Sequence, residues 1–261
     1  MSEVVEVRFD DVAYGGDGVA RLPDGMAVFA PFAAAGDVAR VRLTERRPRF
    51  WRGEIVEIVA PGEGREAAAC PYYGVCGGCR YQHVTAGEEA RLKRGQLEQL
   101  LARVAGMKGA PEVEAPGTEG FVRGTRCDPA AGGLPQHVPG GGAVESVYGY
   151  RNKLTLSPIL EKGRAKGWGF TAMDNRTVTA IERCALGHED LNRTLGGLSR
   201  SGAWPKAPAQ EPGAGLVLRR SAKGEVVAFR EAPEMWLHER VLGVEVVVPA
   251  GGFYQVNPAV L

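Results

Sequence analysis

The sequence predicts a mainly β protein with some α, in which a small closed five-stranded barrel precedes a cysteine-bearing loop and a second, β-rich domain. Three observations predict it. Residues 4–58 alternate short β-rich runs with turn sequences. Three cysteines then cluster at C-x5-C-x2-C spacing on a stretch too rich in Gly and Pro for helix or strand. Strand patterning returns near residue 149, with little helical periodicity around it.

In the barrel, the β-rich runs fall at 4–9, 19–22, 26–30, 38–43 and 53–59, punctuated by Gly15-Gly16-Asp17-Gly18 and Pro23-Asp24-Gly25. Five short strands in about sixty residues suit a closed barrel of the oligonucleotide-binding type. Six arginines (Arg40, Arg42, Arg46, Arg47, Arg49 and Arg52) fall within thirteen residues that hold one acid, Glu45, so the net charge of +1 conceals a local basic run. This run is expected between the last two strands, interleaved with Phe50 and Trp51. Guanidiniums can pair with phosphates while rings stack on unpaired bases, so the segment reads as an RNA contact. It reads equally as a solvated basic loop whose aromatics belong to the core.

The cysteine loop runs Cys70-Pro-Tyr-Tyr-Gly-Val-Cys76-Gly-Gly-Cys79. A trio of thiolates wants a metal, and four sulfur ligands are the usual complement for an iron–sulfur cluster or a structural zinc. Of the two remaining cysteines, Cys127 sits in a Gly/Pro-rich run, whereas Cys184 follows a strand-like segment at 177–181. Cys184 is therefore the expected fourth ligand and Cys127 a free thiol. Five cysteines so arranged suit a reducing compartment better than a disulfide framework.

Thr85-Ala-Gly-Glu88 has a capping-box pattern, and Leu97, Leu100, Leu101 and Val104 follow at helical spacing before Gly106. These predict an amphipathic helix whose stripe is packing surface, expected to pack on a further domain and to be exposed to water in residues 1–261 alone. From residue 108 to 147 periodicity disappears among prolines and Gly140-Gly141-Gly142, which reads as an insertion. Strands are expected again at 150–156, 167–171, 176–181, 216–220 and 225–230, and a strand and turn at 244–257. His83 is assigned a structural hydrogen-bonding role and no ligand role, and His137, His188 and His238, which stand without partners, are given the same structural default.

With 261 residues, 44% of them hydrophobic, the chain can form packed cores in one to three domains. No apolar run approaches the roughly 18 residues that cross a bilayer, and the N-terminus has no secretory pattern. The expected location is cytoplasmic, without membrane contact, as a monomer. The expected parts are 1–62 barrel, 63–84 cluster loop, 85–107 helix, 108–148 insertion, 149–243 β-rich domain and 244–261 the start of a further domain.

In this order, the barrel, the C-x5-C-x2-C loop leading through Tyr81-Gln82-His83 to a capped helix, Gly149-Tyr150-Arg151-Asn152-Lys153, Cys184, and Phe253-Tyr254-Gln255-Val256-Asn257 resemble the RNA uracil-C5 methyltransferases. The resemblance implies that the barrel is a TRAM domain that binds RNA, that Cys70, Cys76, Cys79 and Cys184 hold a 4Fe-4S cluster rather than zinc, and that Gln255 contacts S-adenosylmethionine. It implies 23S rRNA as substrate, with tRNA the alternative. In that family a cysteine thiolate attacks uracil C6, C5 takes the methyl group, and a base removes the C5 proton. The expectation for residues 1–261 is that no catalytic residue lies among them, that the Rossmann-like methyltransferase domain is cut off after its first strand, and that this stretch alone is inactive. The alternatives are a stand-alone RNA-binding iron–sulfur protein and a zinc-stapled adaptor.

Overall fold

The computed structural model describes residues 3–107, 148–162, 164–204, 215–230, 234–241 and 244–252. Cys127, His137, Gln255 with its motif at 253–257, and the insertion up to residue 147 lie outside the described residues. The chain divides into two compact units, Met1–Ala68 with Cys79–Phe121, and Ala69–Gly78 with Val122–Leu261.

In the first unit, β1 (Val4–Val12), β2 (Asp17–Arg21), β3 (Ala27–Pro31), β4 (Val38–Arg46) and β5 (Phe50–Ala60) close a barrel in the order β1-β2-β3-β5-β4. The β3–β5 pair is parallel and the others are antiparallel. Alternation in sequence makes the inside: along β4, Ala39, Val41 and Leu43 are buried while Arg40 and Arg42 face water. Val7, Phe9, Ala20, Val28 and Ala30 complete the core, and the many alanines suit so narrow a barrel. Gly53 is required on β5, since a Cβ there would stand 2.3 Å from Val41 Cγ1.

A buried carboxylate fastens this barrel. Asp37, fully buried, accepts from the N–H groups of Ala34 (2.7 Å) and Gly62 (2.8 Å) and from Arg65 Nη2 (2.6 Å), while Arg65 also donates to the Phe32 carbonyl (2.6 Å). Burial works to raise the pKa of Asp37, but the Arg65 hydrogen bond, the Gly62 and Ala34 amides and the Arg65 charge together hold it below the ordinary carboxylate value. Helix α1 (Ala86–Arg103) begins where the capping pattern places it, with Thr85 Oγ1 accepting from Glu88 N (3.3 Å). Leu97, Leu100 and Val104 of the stripe are exposed, as expected for residues 1–261, and α1 is tied down by buried Leu92 and by Gln96, whose amide donates to the carbonyls of Val12 (3.0 Å) and Ala13 (3.2 Å).

In the second unit, β6 (Lys153–Glu161), β7 (Arg164–Thr171), β8 (Val178–Thr179), β9 (Leu216–Arg220) and β10 (Val226–Phe229) form an antiparallel sheet in the order β10-β9-β6-β7-β8. A helix that the strand reading passed over, α2 (Glu189–Ser201), covers one face; its Leu191 and Leu195 pack with Leu154, Leu156, Trp168, Leu216 and Leu218. β11 (Trp236–Val241) and β12 (Val244–Pro249) make a separate hairpin. Buried Arg219 on β9 donates to the carbonyls of Pro249 (3.2 Å), Ala250 (2.8 Å) and Gly252 (3.0 Å), which fixes the end of β12.

Candidate metal centre and nucleic-acid interface

Two turns of the second unit carry three of the predicted cysteines, Cys70 and Cys76 on one and Cys184 on the other. In the first, Tyr73 N donates to Cys70 O (3.0 Å) and Cys76 N to Tyr72 O (2.9 Å). Gly77 N then donates to Thr171 O (3.0 Å), and Cys76 forms a β-bridge with Ala172, so the turn lies along the end of β7. A Cβ on residue 77 would stand 3.0 Å from the carbonyl oxygens of both Thr171 and Ala172, which is why glycine is needed there. The second turn carries Cys184 between β8 and α2. The expected strand at 176–181 shrinks to Val178–Thr179, and Cys184 is ordered by hydrogen bonds rather than by the sheet. Gly149 N donates to Ala185 O (3.0 Å), Arg151 N to Leu186 O (2.7 Å) and His188 N to Arg151 O (2.9 Å).

The sulfurs sit in a common electrostatic environment. Burial raises the pKa of Cys70; the N–H groups of Tyr72 and Ala185 oppose the rise, and the neighbouring Cys184 and Cys76 sulfurs add to it. Burial likewise raises Cys184, opposed by the N–H groups of Leu186 and Gly187 and by the Arg151 guanidinium. Gly78 N donates to Cys76 Sγ at 3.4 Å. All four predicted ligands are thiols rather than half-cystines. Cys79 belongs to the barrel unit, three residues along the chain from Cys76. Among the described residues, no three His, Cys, Asp or Glu side chains are grouped closely enough to clasp a metal ion.

Two side chains given no partner in the sequence reading have one. His188 caps α2, its Nδ1 accepting from Asp190 N (3.2 Å), and burial followed by the Arg220 charge keeps its pKa below the usual imidazole value, as an acceptor role requires. His238 Nδ1 lies 2.6 Å from Glu245 Oε1. The sequence reading also missed Asn192, buried on α2 and bonded to the Cys184 turn. Its polarity on a helix face otherwise lined by Leu191 and Leu195 is the signal that could have found it.

The basic run is not an interstrand loop. Arg40, Arg42 and Arg46 lie on β4, Phe50, Trp51 and Arg52 on β5, and the turn between them holds Arg47 and Arg49. The strands run further than hydrophobic residues alone suggested, because the outward positions of this hairpin are charged. Arg40 and Arg42 face Glu57 and Glu54 in the ladder register, with the Arg40 pair at 2.9 Å. Arg52 pairs with Asp17 (3.3 Å) and Arg47 with Glu45 (2.6 Å). Arg46 lies over the Trp51 ring at 5.8 Å, and Phe50 meets Phe29 edge-on at 5.2 Å. Trp51 also packs against the barrel core. Such exposed pairs are worth at most about 1 kcal/mol and are screened by salt, so the tip of the hairpin remains a basic surface.

Comparisons with known proteins agree with this architecture. The TRAM domain family matches residues 2–56. A protein of Streptomyces avermitilis named as an uncharacterized RNA methyltransferase is 30% identical over 99% of this chain and 61% of its own length. The 23S rRNA (uracil(1939)-C(5))-methyltransferase RlmD of Yersinia enterocolitica is 28% identical over 69% of this chain and 34% of its own. The chain thus spans between about a third and 61% of the length of these curated relatives. Among solved structures, a tRNA (uracil-54, C5)-methyltransferase of Pyrococcus abyssi, in complex with S-adenosyl-L-homocysteine, shares the fold with a TM-score of 0.54 at 17% identity, covering 97% of this chain and 61% of that one. Among the described residues, no helix is long and apolar enough to cross a membrane. The barrel is a TRAM domain, and over its length the chain is similar to part of RNA methyltransferases, among them uracil-C5 methyltransferases.

Proposed function

We propose that residues 1–261 form the RNA-recognition and cluster-bearing part of an S-adenosylmethionine-dependent RNA uracil-C5 methyltransferase, acting on 23S rRNA. The observation that carries this reading is the meeting of the turns at Cys70–Cys76 and Cys184, with backbone N–H groups turned toward the sulfurs, in one chain with an RNA-binding type of barrel. Relatives named for 23S rRNA support that substrate over tRNA.

The donor set fits an iron–sulfur cluster. Cys70, Cys76, Cys79 and Cys184 would hold it: all four are soft ligands, and amide N–H groups toward the sulfurs are the usual surroundings of such clusters. A single ion needs all its ligands around one centre, whereas a cluster is several atoms across and accepts thiolates that do not touch. When bound, the cluster supplies positive charge that stabilises thiolates which burial alone would protonate. The barrel contributes Arg46, Arg47 and Arg49 as phosphate contacts, with Phe50 and Trp51 as stacking rings, and Arg40, Arg42, Arg47 and Arg52 are partly neutralised by their carboxylates. Gln255 would contact the methyl donor beyond the strand end that Arg219 fixes.

The test is to purify the protein without oxygen, determine iron and acid-labile sulfide, and supply radiolabelled methyl donor with unmodified 23S rRNA or tRNA to the full-length enzyme. Iron and sulfide in about equal amounts, and label at uridine C5 of 23S rRNA, are expected. Stoichiometric zinc without iron would overturn the cluster reading. Label in tRNA alone would move the substrate, and RNA binding without methyl transfer would leave a binding protein.

A further inference from the structure

The amide of Asn192 is spent on one short stretch of backbone. Oδ1 accepts from Cys184 N (2.9 Å), and Nδ2 donates to the carbonyls of Cys184 (3.1 Å) and Gly187 (2.9 Å). Both amide hydrogens and the oxygen are thereby used, and the reverse amide orientation would set an N–H against an N–H and an oxygen against two carbonyls, so the network itself fixes the assignment. Asn192 is 4% exposed, between Leu191 and Leu195, which are fully buried. Burying a primary amide is costly unless every polar atom is matched, and an apolar residue would fill this place in the core at less risk. What the amide secures is the shape of the 184–187 turn. Gly187 N closes the turn by donating to Cys184 O (3.0 Å), and with two carbonyls drawn toward α2 the N–H of Leu186 is left on the Cys184 sulfur side while that of Ala185 reaches Cys70.

We propose that Asn192 is a positioning residue for the cluster: through the backbone of the 184–187 turn it presents the Cys184 sulfur, and the N–H groups around it, in ligand-ready geometry before iron arrives. This rests on the reading of Cys70, Cys76, Cys79 and Cys184 as cluster ligands. It touches no ligand sulfur itself, so its effect is on retention and electronics rather than on the number of thiolates. Partners that orient metal ligands in this way commonly change metal affinity by about 10- to 100-fold when removed.

The experiment compares anaerobically loaded wild type with Asn192→Ala, with the isosteric Asn192→Asp, and with Leu195→Ala, which weakens the same helix without touching the turn. The readouts are the half-life of iron against excess chelator, the midpoint potential of the cluster, and the unfolding midpoint of each metal-free protein. Asn192→Ala and Asn192→Asp should lose iron about 10- to 100-fold faster than wild type. Their potentials should move to more negative values, because amide N–H groups toward sulfur favour the reduced cluster. Leu195→Ala, at a comparable loss of unfolding midpoint, should hold iron and keep the wild-type potential. Iron half-lives for both Asn192 variants within twofold of wild type would overturn the proposal. Equal iron loss and an equal potential shift in Leu195→Ala would also overturn it, reducing Asn192 to a core residue. A wild type that takes up no iron is a different result, since it defeats the cluster assignment itself.

Discussion

The barrel and the cysteine-bearing unit solve the same problem, a polar group inside a small protein, in opposite ways. In the barrel, Asp37 arrives with its counter-charge: Arg65 and two backbone amides satisfy it within the protein. In the other unit, Cys70 and Cys184 are partly buried thiols, and burial raises the pKa of each against the opposing backbone N–H groups and, for Cys184, the Arg151 charge. The first arrangement is complete in the polypeptide. On the proposed cluster reading the second is completed by a cation, so the two regions should respond differently to the same perturbations.

If the proposed cluster is present, removing its metal should separate them most. With a chelator under reducing conditions, hydrogen exchange in peptides covering 150–230 should accelerate by the equivalent of about 3 kcal/mol or more, while peptides covering 4–60 keep their protection. Equal loss in both would mean that the barrel also depends on the metal.

Asp37→Asn strikes the other side of the comparison. It leaves Arg65 without a counter-charge and turns an amide donor toward backbone N–H groups, at a cost of about 2–4 kcal/mol in urea unfolding of the barrel, with iron content unchanged. The acid response gives the sign. Because the folded pKa of Asp37 lies below its unfolded value, its contribution is fully present above about pH 4 and is lost as pH falls through the folded pKa. The Asn variant should therefore lose less stability on acidification than wild type.

A smaller effect sharpens the reading of the hairpin. Replacing Arg46, Arg47 and Arg49 together with alanine should lower the log–log salt slope of single-stranded RNA binding by about 2, at roughly 0.7 per phosphate contact. Replacing Arg40 and Arg42 should change it little, since each stands opposite a glutamate in the ladder. An unchanged slope in the triple variant would make the tip a solvated turn.

The barrel was legible because inward and outward residues alternate with period two and its turns are marked by glycine. All five strands fall where the sequence places them, although β4 and β5 run on into the arginines. There the same alternation continues with charged residues outside, and a charge run was read as a loop. Helix α2 was missed because Gly196 and Gly197 in its interior weaken the helical pattern, although Leu191, Leu195 and Leu198 keep the spacing and Gly202 ends it with φ 64°. The hairpin β11–β12 was half seen, as a strand from residue 244. The cysteine spacing was readable as a metal motif, but the Asn192 hydrogen bonds were not: they join residues eight and five apart across a turn whose shape the sequence does not spell out.

The meeting of the two cysteine turns has a consequence for how this chain can vary. Cys70 and Cys184 are 114 residues apart, and the 40 residues at 108–147 lie between them. Bringing the ends of such a long segment together costs entropy that grows with the logarithm of its length, so dropping those 40 residues would ease closure by only about 0.4 kcal/mol. The span between the turns is therefore nearly free to lengthen or shorten over generations. The turns themselves, where a single Cβ at residue 77 would collide with two carbonyls, are not.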